Sequence, residues 1–173
     1  MKKPESLYCH ELRDSFYHLF GKEGFWLKIP DMPLGQEQRE NLPLSIKFNP
    51  KKPFDIITII KGQAIAIEAK VADKNGTIKF DRVSVHQAGN LQLFTKAGGK
   101  AYVAVQVSDN LSLFIPIDRW IQMKYDLKQF NIDYLSPNSN SEYAIVRRET
   151  YGKTIWDIEE LITGKTLQSK LEL

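Results

Sequence analysis

Apolar residues recur at helical spacing near the start of the chain, run with strand-like character through its middle, and lose a regular period towards its end. Leu7, Leu12, Phe16, Leu19 and Phe20 predict a helix over residues 5–20, and Gly21 suits its C-terminal stop. Residues 25–29 read as a short strand closed by Pro30. Prolines at 30, 33, 43, 50 and 53 make residues 30–53 an ordered loop or arm, too irregular for the interior of a helix or strand. Residues 54–60 and 63–71 predict a hairpin about the turn residues Lys61-Gly62. A helix is expected over 80–96, with Val83, Ala88, Leu91 and Phe94 packing on a sheet and Gly98-Gly99 ending it. Residues 101–107 and 111–115 form a second hairpin around Ser108-Asp109-Asn110, and Pro116 with Asp118 opens a helix reaching about Leu127. Beyond Phe130 the pattern weakens to a strand over 143–148 and a short helix over 156–162.

The order α-β-β-β-α-β-β-α indicates an α/β domain with a mixed β-sheet flanked by helices. Residues 1–129, including the 30–53 arm, are expected to form that domain, with 130–173 as an extension packed on it. A chain of 173 residues suffices for one substantial core. Its 42% hydrophobic and 26% charged content is that of an ordinary globular protein. Apolar runs such as 64–67 and 115–117 are too short to span a bilayer, so no membrane partner is expected. Two N-terminal lysines lack a hydrophobic stretch behind them, which argues against a secretory signal. The lone Cys9 excludes an internal disulfide framework and a Cys-rich zinc site. A cytoplasmic, intracellular location is the economical reading.

Charge sharpens this picture through its distribution. Residues 1–50 carry seven Lys/Arg against seven Asp/Glu, 51–100 nine against four, and 101–173 eight against ten. The surplus lies entirely in the middle segment, as expected near a phosphate backbone, although a solvated Lys-rich surface also explains it. Two of that segment's four acids are Asp55 and Glu68. Strand alternation puts Ala64, Ala66, Glu68 and Lys70 on one face, and Ile65, Ile67, Ala69 and Val71 on the other. The first face has room for a cavity or a close helix above Glu68; the second belongs in the core. A turn at Lys61-Gly62 sets Asp55 opposite Glu68, with Cβ atoms about 4.5–5.5 Å apart. Two carboxylates at that distance repel unless a cation lies between them, and hard oxygen ligands suit Mg²⁺ or Mn²⁺. Lys70 can then stabilise charge developing at a phosphorus centre. The alternative is a strand-start Asp55 and a surface Glu68–Lys70 ion pair.

Pro53-Phe54-Asp55, a spacer of twelve residues, and Glu68-Ala69-Lys70 resemble the motif of the PD-(D/E)xK nuclease superfamily. The downstream succession is similar to the archaeal and bacterial Holliday junction resolvases over roughly residues 52–121. It comprises Lys79-Phe80, Val85-His86-Gln87 running on to Leu91, a strand at 101–105, Leu113-Phe114-Ile115-Pro116 and Trp120. Position 54, often Ser or Thr in those resolvases, is Phe. The resemblance implies a restriction-endonuclease-like fold and a metal-dependent DNA endonuclease. By it, Asp55 and Glu68 bind Mg²⁺ (or Mn²⁺) with the Ala69 carbonyl and Glu11, Lys70 is catalytic, and Gln87 sits near the site. It also implies branched DNA as substrate and a homodimer making paired cuts. A restriction-like or repair nuclease on duplex DNA, and a non-catalytic nucleic-acid-binding domain of the same fold, are the competing readings.

Other polar residues take smaller parts. Lys74, Lys79, Arg82 and Lys96 surround the frame in sequence and are candidates for contacts to backbone phosphates. His10 and His18 read as structural, lacking Cys or His partners at metal-ligand spacing, and His86, at a helix start, reads as a surface or hydrogen-bonded structural residue ahead of a catalytic one. Cys9 has no activating partner, and Gly98-Gly99-Lys100 lacks the spacing of a phosphate-binding loop.

Overall fold

The computed structural model describes residues 4–30, 52–130, 143–150 and 152–159. Its organising element is the central hairpin. Strands β2 (Ile56–Ile60) and β3 (Gln63–Val71) meet at Lys61 and Gly62, whose φ angles of 48° and 80° give the doubly left-handed turn that matches strand twist. Pairing runs from Ile60↔Gln63 to Ile56↔Ile67, the register expected from the turn. β1 (Gly24–Lys28) adds antiparallel to the outer edge of β2.

On its other edge β3 pairs in parallel with β5 (Lys100–Gln106), and the connection passes through helix α2 (Val85–Lys96). Then β6 (Leu111–Pro116), β8 (Ala144–Thr150) and β9 (Lys153–Trp156) each join antiparallel to the strand before. The result is a mixed seven-stranded sheet in the order β1-β2-β3-β5-β6-β8-β9. A separate two-residue ribbon joins β4 (Ile78–Lys79) to β7 (Gln129–Phe130).

Strand alternation divides the apolar side chains between two cores. Ile65, Ile67 and Ala69 pack with Tyr8, Leu12 and Phe16 of α1 (Pro4–Phe20). Ala66, Val103 and Val105 pack beneath Leu91 of α2 and Trp120 and Met123 of α3 (Ile117–Asp126). The α/β architecture with a mixed sheet between helices is therefore the one expected from the sequence.

Two local readings change. The helix expected from residue 80 begins at Val85, because Phe80–Arg82 forms a single 3₁₀ turn and Ser84 caps the helix proper. The Ser84 hydroxyl accepts the Gln87 N–H at 3.2 Å, and the Gln87 side-chain oxygen accepts the Ser84 N–H at 3.0 Å. This reciprocal pair satisfies two helix-start donors and fixes the boundary. Phe80 is spent on the core instead, edge-on to Trp120 with centroids 5.0 Å apart. At the other end Trp156 closes strand β9 rather than opening a helix, its N–H donating to Ser15 Oγ at 2.9 Å. Residues 31–51 of the Pro-rich arm and 160–173 of the tail lie outside the described residues.

The closest packing in the α1 layer lies over Gly24. A Cβ there would come within 2.5 Å of Phe16 Cζ and 3.3 Å of the Ile59 carbonyl oxygen. Phe16 is buried between Phe20 and Trp26, with centroids 5.4 and 5.2 Å away, so its ring has little room to retreat. Gly24→Ala is expected to destabilise the protein by about 1–3 kcal/mol through overpacking, measured by urea unfolding. An unchanged midpoint would show that this layer yields.

Candidate active site

The end of the β2–β3 ladder, where β2 has not yet begun and β3 continues, is where the polar groups collect. Phe54 anchors the approach. It is buried and meets Phe94 of α2 edge-on, with centroids 5.7 Å apart. The apolar residue at the position often occupied by Ser or Thr thus plugs the space beneath α2. Next to it the Asp55 N–H donates to the Ile67 carbonyl at 3.2 Å, one residue past the last ladder pair, Ile56↔Ile67, which brings the Asp55 side chain to the Glu68–Ala69 stretch of β3.

Asp55 uses both carboxylate oxygens. Oδ2 accepts the Ala69 backbone N–H at 2.9 Å, and Oδ1 lies 2.5 Å from the Lys52 ammonium. Glu68 has no exposed surface. Its Oε1 accepts from Lys70 Nζ at 2.5 Å and from Gln87 Nε2 at 2.6 Å. Its Oε2 is buried with no hydrogen-bond partner among the described residues. Burial is the main reason the Glu68 carboxyl is pushed up to about 7; the Asp55 charge adds to the rise and Lys70 opposes it.

These groups open into a cleft of about 740 Å³. Lys28 from β1, Glu5, Ser6 and Cys9 from α1, and Ser84 and His86 from the start of α2 also line it. Four of the expected residues, Asp55, Glu68, Lys70 and Gln87, are brought together. Ala69 joins them through its backbone. Gln87 does two jobs with one amide: its oxygen caps α2 and its nitrogen holds Glu68.

Glu11 is not among them, which corrects the expectation that the first helix offers it to the site. Its Oε2 accepts from Arg147 at 2.5 Å and from Trp156 Nε1 at 3.3 Å, in a different cleft beside β9. The reason is helical phase, since six residues separate Glu5 from Glu11 and a helix turns about 100° per residue. Glu5, Ser6 and Cys9 face the Asp55–Glu68 cleft, and Glu5 pairs there with Arg82.

The four basic candidates lie outside the cleft lining. Arg82 bridges Glu5 and the Val71 carbonyl, the latter at 3.0 Å. Lys74 and Lys79 are exposed, as is Lys96 at the far end of α2, roughly 14 Å along the axis from Gln87. Burial raises the Cys9 thiol to about 11, which keeps it protonated and unreactive at neutral pH. Sequence reasoning misses Lys52, Lys28 and Glu5. Lys52 carries a faint signal, as a cation three residues before Asp55 across a proline.

The chain as a whole is similar to known proteins. The family Recombination protein U matches residues 29–154, a span holding both motif strands, α2 and the sheet as far as β9. A search of curated proteins returned no match. Among solved structures, the chain is similar to Hjc from Archaeoglobus fulgidus, a Holliday junction resolvase. That likeness has 19% identity and a TM-score of 0.41, covering 64% of this chain and 77% of the other. No helix among the described residues is long and apolar enough to cross a membrane. The match to well over half of its length places the chain in the Recombination protein U family, Holliday junction resolvase-like endonucleases.

Proposed function

We propose that the chain hydrolyses phosphodiester bonds of branched DNA at the Asp55–Glu68 cleft, with Mg²⁺ held by those two carboxylates and Mn²⁺ as a substitute. One observation carries the reading: a fully buried Glu68 in the cleft with Asp55 presents an oxygen that has no hydrogen-bond partner among the described residues, with Lys70 on the same carboxylate. Resolvase nucleases generally use a divalent metal. The residues present fit one. A buried, raised-pKa carboxylate with an open oxygen is relieved by a cation more effectively than by water. Among the described residues no cluster of three or more His, Cys, Asp or Glu offers an all-protein cage. Two carboxylates suit Mg²⁺, which keeps several waters and completes its shell with substrate phosphate.

The Ala69 carbonyl is the natural third oxygen. In a strand the N–H and C=O of one residue point to the same edge, and the Ala69 N–H already points to Asp55. When bound, the ion supplies Lewis acidity and a more acidic water. The chain's own residues do the rest. Lys70, held in place by Glu68, faces the cleft as a fixed positive charge for the oxyanion that develops on phosphorus. Gln87 keeps the Glu68 carboxylate from rotating and ties it to the α2 N-terminus, whose helix dipole favours a phosphate nearby. Lys74, Lys79, Arg82 and Lys96 contact the phosphate backbone beyond the cleft, and a homodimer places two such clefts for paired incisions. This activity belongs in the intracellular compartment that holds DNA.

Purified protein incubated with a four-way junction or linear duplex tests the reading. Glu68→Gln and Lys70→Ala are each expected to lower Mg²⁺-dependent junction cutting by about 10²-fold or more. Junction binding should survive in both. Cutting that persists in EDTA, or is undiminished in Glu68→Gln, contradicts the proposal.

A second prediction rests on the Glu68 carboxyl, raised in the fold to about 7. Its unfolded value is ~4.3, so the protonated form is the one the metal-free fold prefers. The resulting stability is full below the unfolded pKa and is lost as pH rises through the folded one. The metal-free wild type should therefore lose more thermal stability between pH 5 and pH 8 than Glu68→Gln does. Mg²⁺, which binds the ionised form, should stabilise the wild type increasingly over the same range. Parallel melting profiles for the two proteins would remove Glu68 as the titrating group.

A further inference from the structure

The two carboxylates of the cleft are not equally open to a cation. At Glu68, both donors sit on Oε1 and leave Oε2 without a hydrogen-bond partner among the described residues. At Asp55, Oδ2 is committed to the Ala69 N–H and Oδ1 is taken by the Lys52 ammonium at 2.5 Å. A divalent ion reaching both side chains has an open oxygen on one and meets a resident cation on the other.

We infer that Lys52 is a built-in counter-ion on the Asp55 side of the metal site, displaced when the divalent ion binds, and that it sets the affinity of the site for metal. This rests on the metal-site reading above. The pair is well placed for the task. The two side chains are 15% and 14% exposed, so solvent screens them far less than a surface pair. Lys52 precedes Asp55 by three residues, and between them Pro53 restricts the backbone while the buried Phe54 anchors it. The ammonium is thus tethered at the mouth of the site rather than arriving from a mobile surface chain.

Displacement is a consequence of distance and charge. Mg²⁺ requires a carboxylate oxygen at ~2.0–2.1 Å, on the oxygen the ammonium holds. A dication and an ammonium sharing one oxygen repel each other strongly at that separation. Lys70 differs in kind, because its ammonium sits on Oε1 and leaves the Glu68 oxygen that faces the ion unoccupied. In the metal-free protein Lys52 also spares Asp55 and Glu68 part of their mutual repulsion, lowering the Glu68 pKa from where Asp55 would set it. Lys52 therefore stabilises the empty site and opposes the filled one.

Titration of Mn²⁺ into metal-free protein without DNA, read by electron paramagnetic resonance and calorimetry, tests this. Lys52→Met is expected to bind Mn²⁺ about threefold to tenfold more tightly than wild type, the range for release of a partly shielded ion pair. Lys52→Arg should stay close to wild type, because the charge is retained. Lys28→Met removes another ammonium from the same cleft and should change affinity less than twofold, distinguishing a seated counter-ion from a general charge effect. Should Lys52→Met fail to fold by circular dichroism, Lys52→Gln keeps a polar side chain and serves the same comparison. Unchanged or weaker binding in Lys52→Met, or in Lys52→Gln where it replaces it, overturns the inference alone, as does equal tightening in Lys28→Met. Wild type that binds no Mn²⁺ overturns the metal-site reading and this inference with it.

Discussion

Glu68 lies in the second strand of the hairpin that organises the fold, with no exposed surface. Burying a carboxylate costs several kcal/mol unless charges and hydrogen bonds compensate. Its surroundings meet that demand incompletely: Lys70 and Gln87 share one oxygen and the other is left bare. The site is therefore strained in its charge distribution rather than its backbone. A second carboxylate opposite raises the strain, and two lysines hold it in check. Such a site is poised for a cation and, once one arrives, for phosphate.

Everything that places Glu68 there is ordinary sheet physics. The Lys61-Gly62 turn sets the register, the register carries Asp55 to the Glu68–Ala69 stretch of β3, and alternation gives α1 the isoleucine face while α2 packs over the face that carries Ala66. The parallel β3-α2-β5 crossover then delivers the N-terminus of α2, with Ser84 and Gln87, to the end of β3. One amide side chain joins helix capping to carboxylate positioning, so the boundary of α2 and the geometry of the site are a single arrangement. A change in either is felt by the other.

Much of this is legible in the sequence, for identifiable reasons. A two-residue turn between apolar strands determines pairing by simple arithmetic, so the ladder as far as Ile56↔Ile67, and with it the approach of Asp55 to Glu68, can be read directly. The Ser84-x-x-Gln87 capping signal is present, but the longer apolar period beginning at Phe80 masks it. Glu11 is misplaced by sequence reasoning because helical phase relative to the sheet is set by which α1 residues pack, and the charged residues alone do not reveal it. Trp156 sits in an apolar run too short to separate strand from helix, and pairing with β8 decides it. Lys52 leaves only the faint signal of a cation shortly before Asp55. Its contact exists only because Phe54 is pinned beneath α2, a tertiary fact that no local pattern carries. The β4–β7 ribbon, two residues a side, is likewise too short to leave a period.

The central claim is that one divalent ion binds between Asp55 and Glu68. A crystal structure of the protein soaked in Mn²⁺, with anomalous data collected at the manganese edge, tests it directly. The account predicts an anomalous peak at the Asp55–Glu68 cleft, with manganese at ~2.0–2.6 Å from an oxygen of each carboxylate. A peak confined to another group of acids, such as Glu11 and Asp14 beside β9, or no peak at a concentration that supports cleavage, would contradict it.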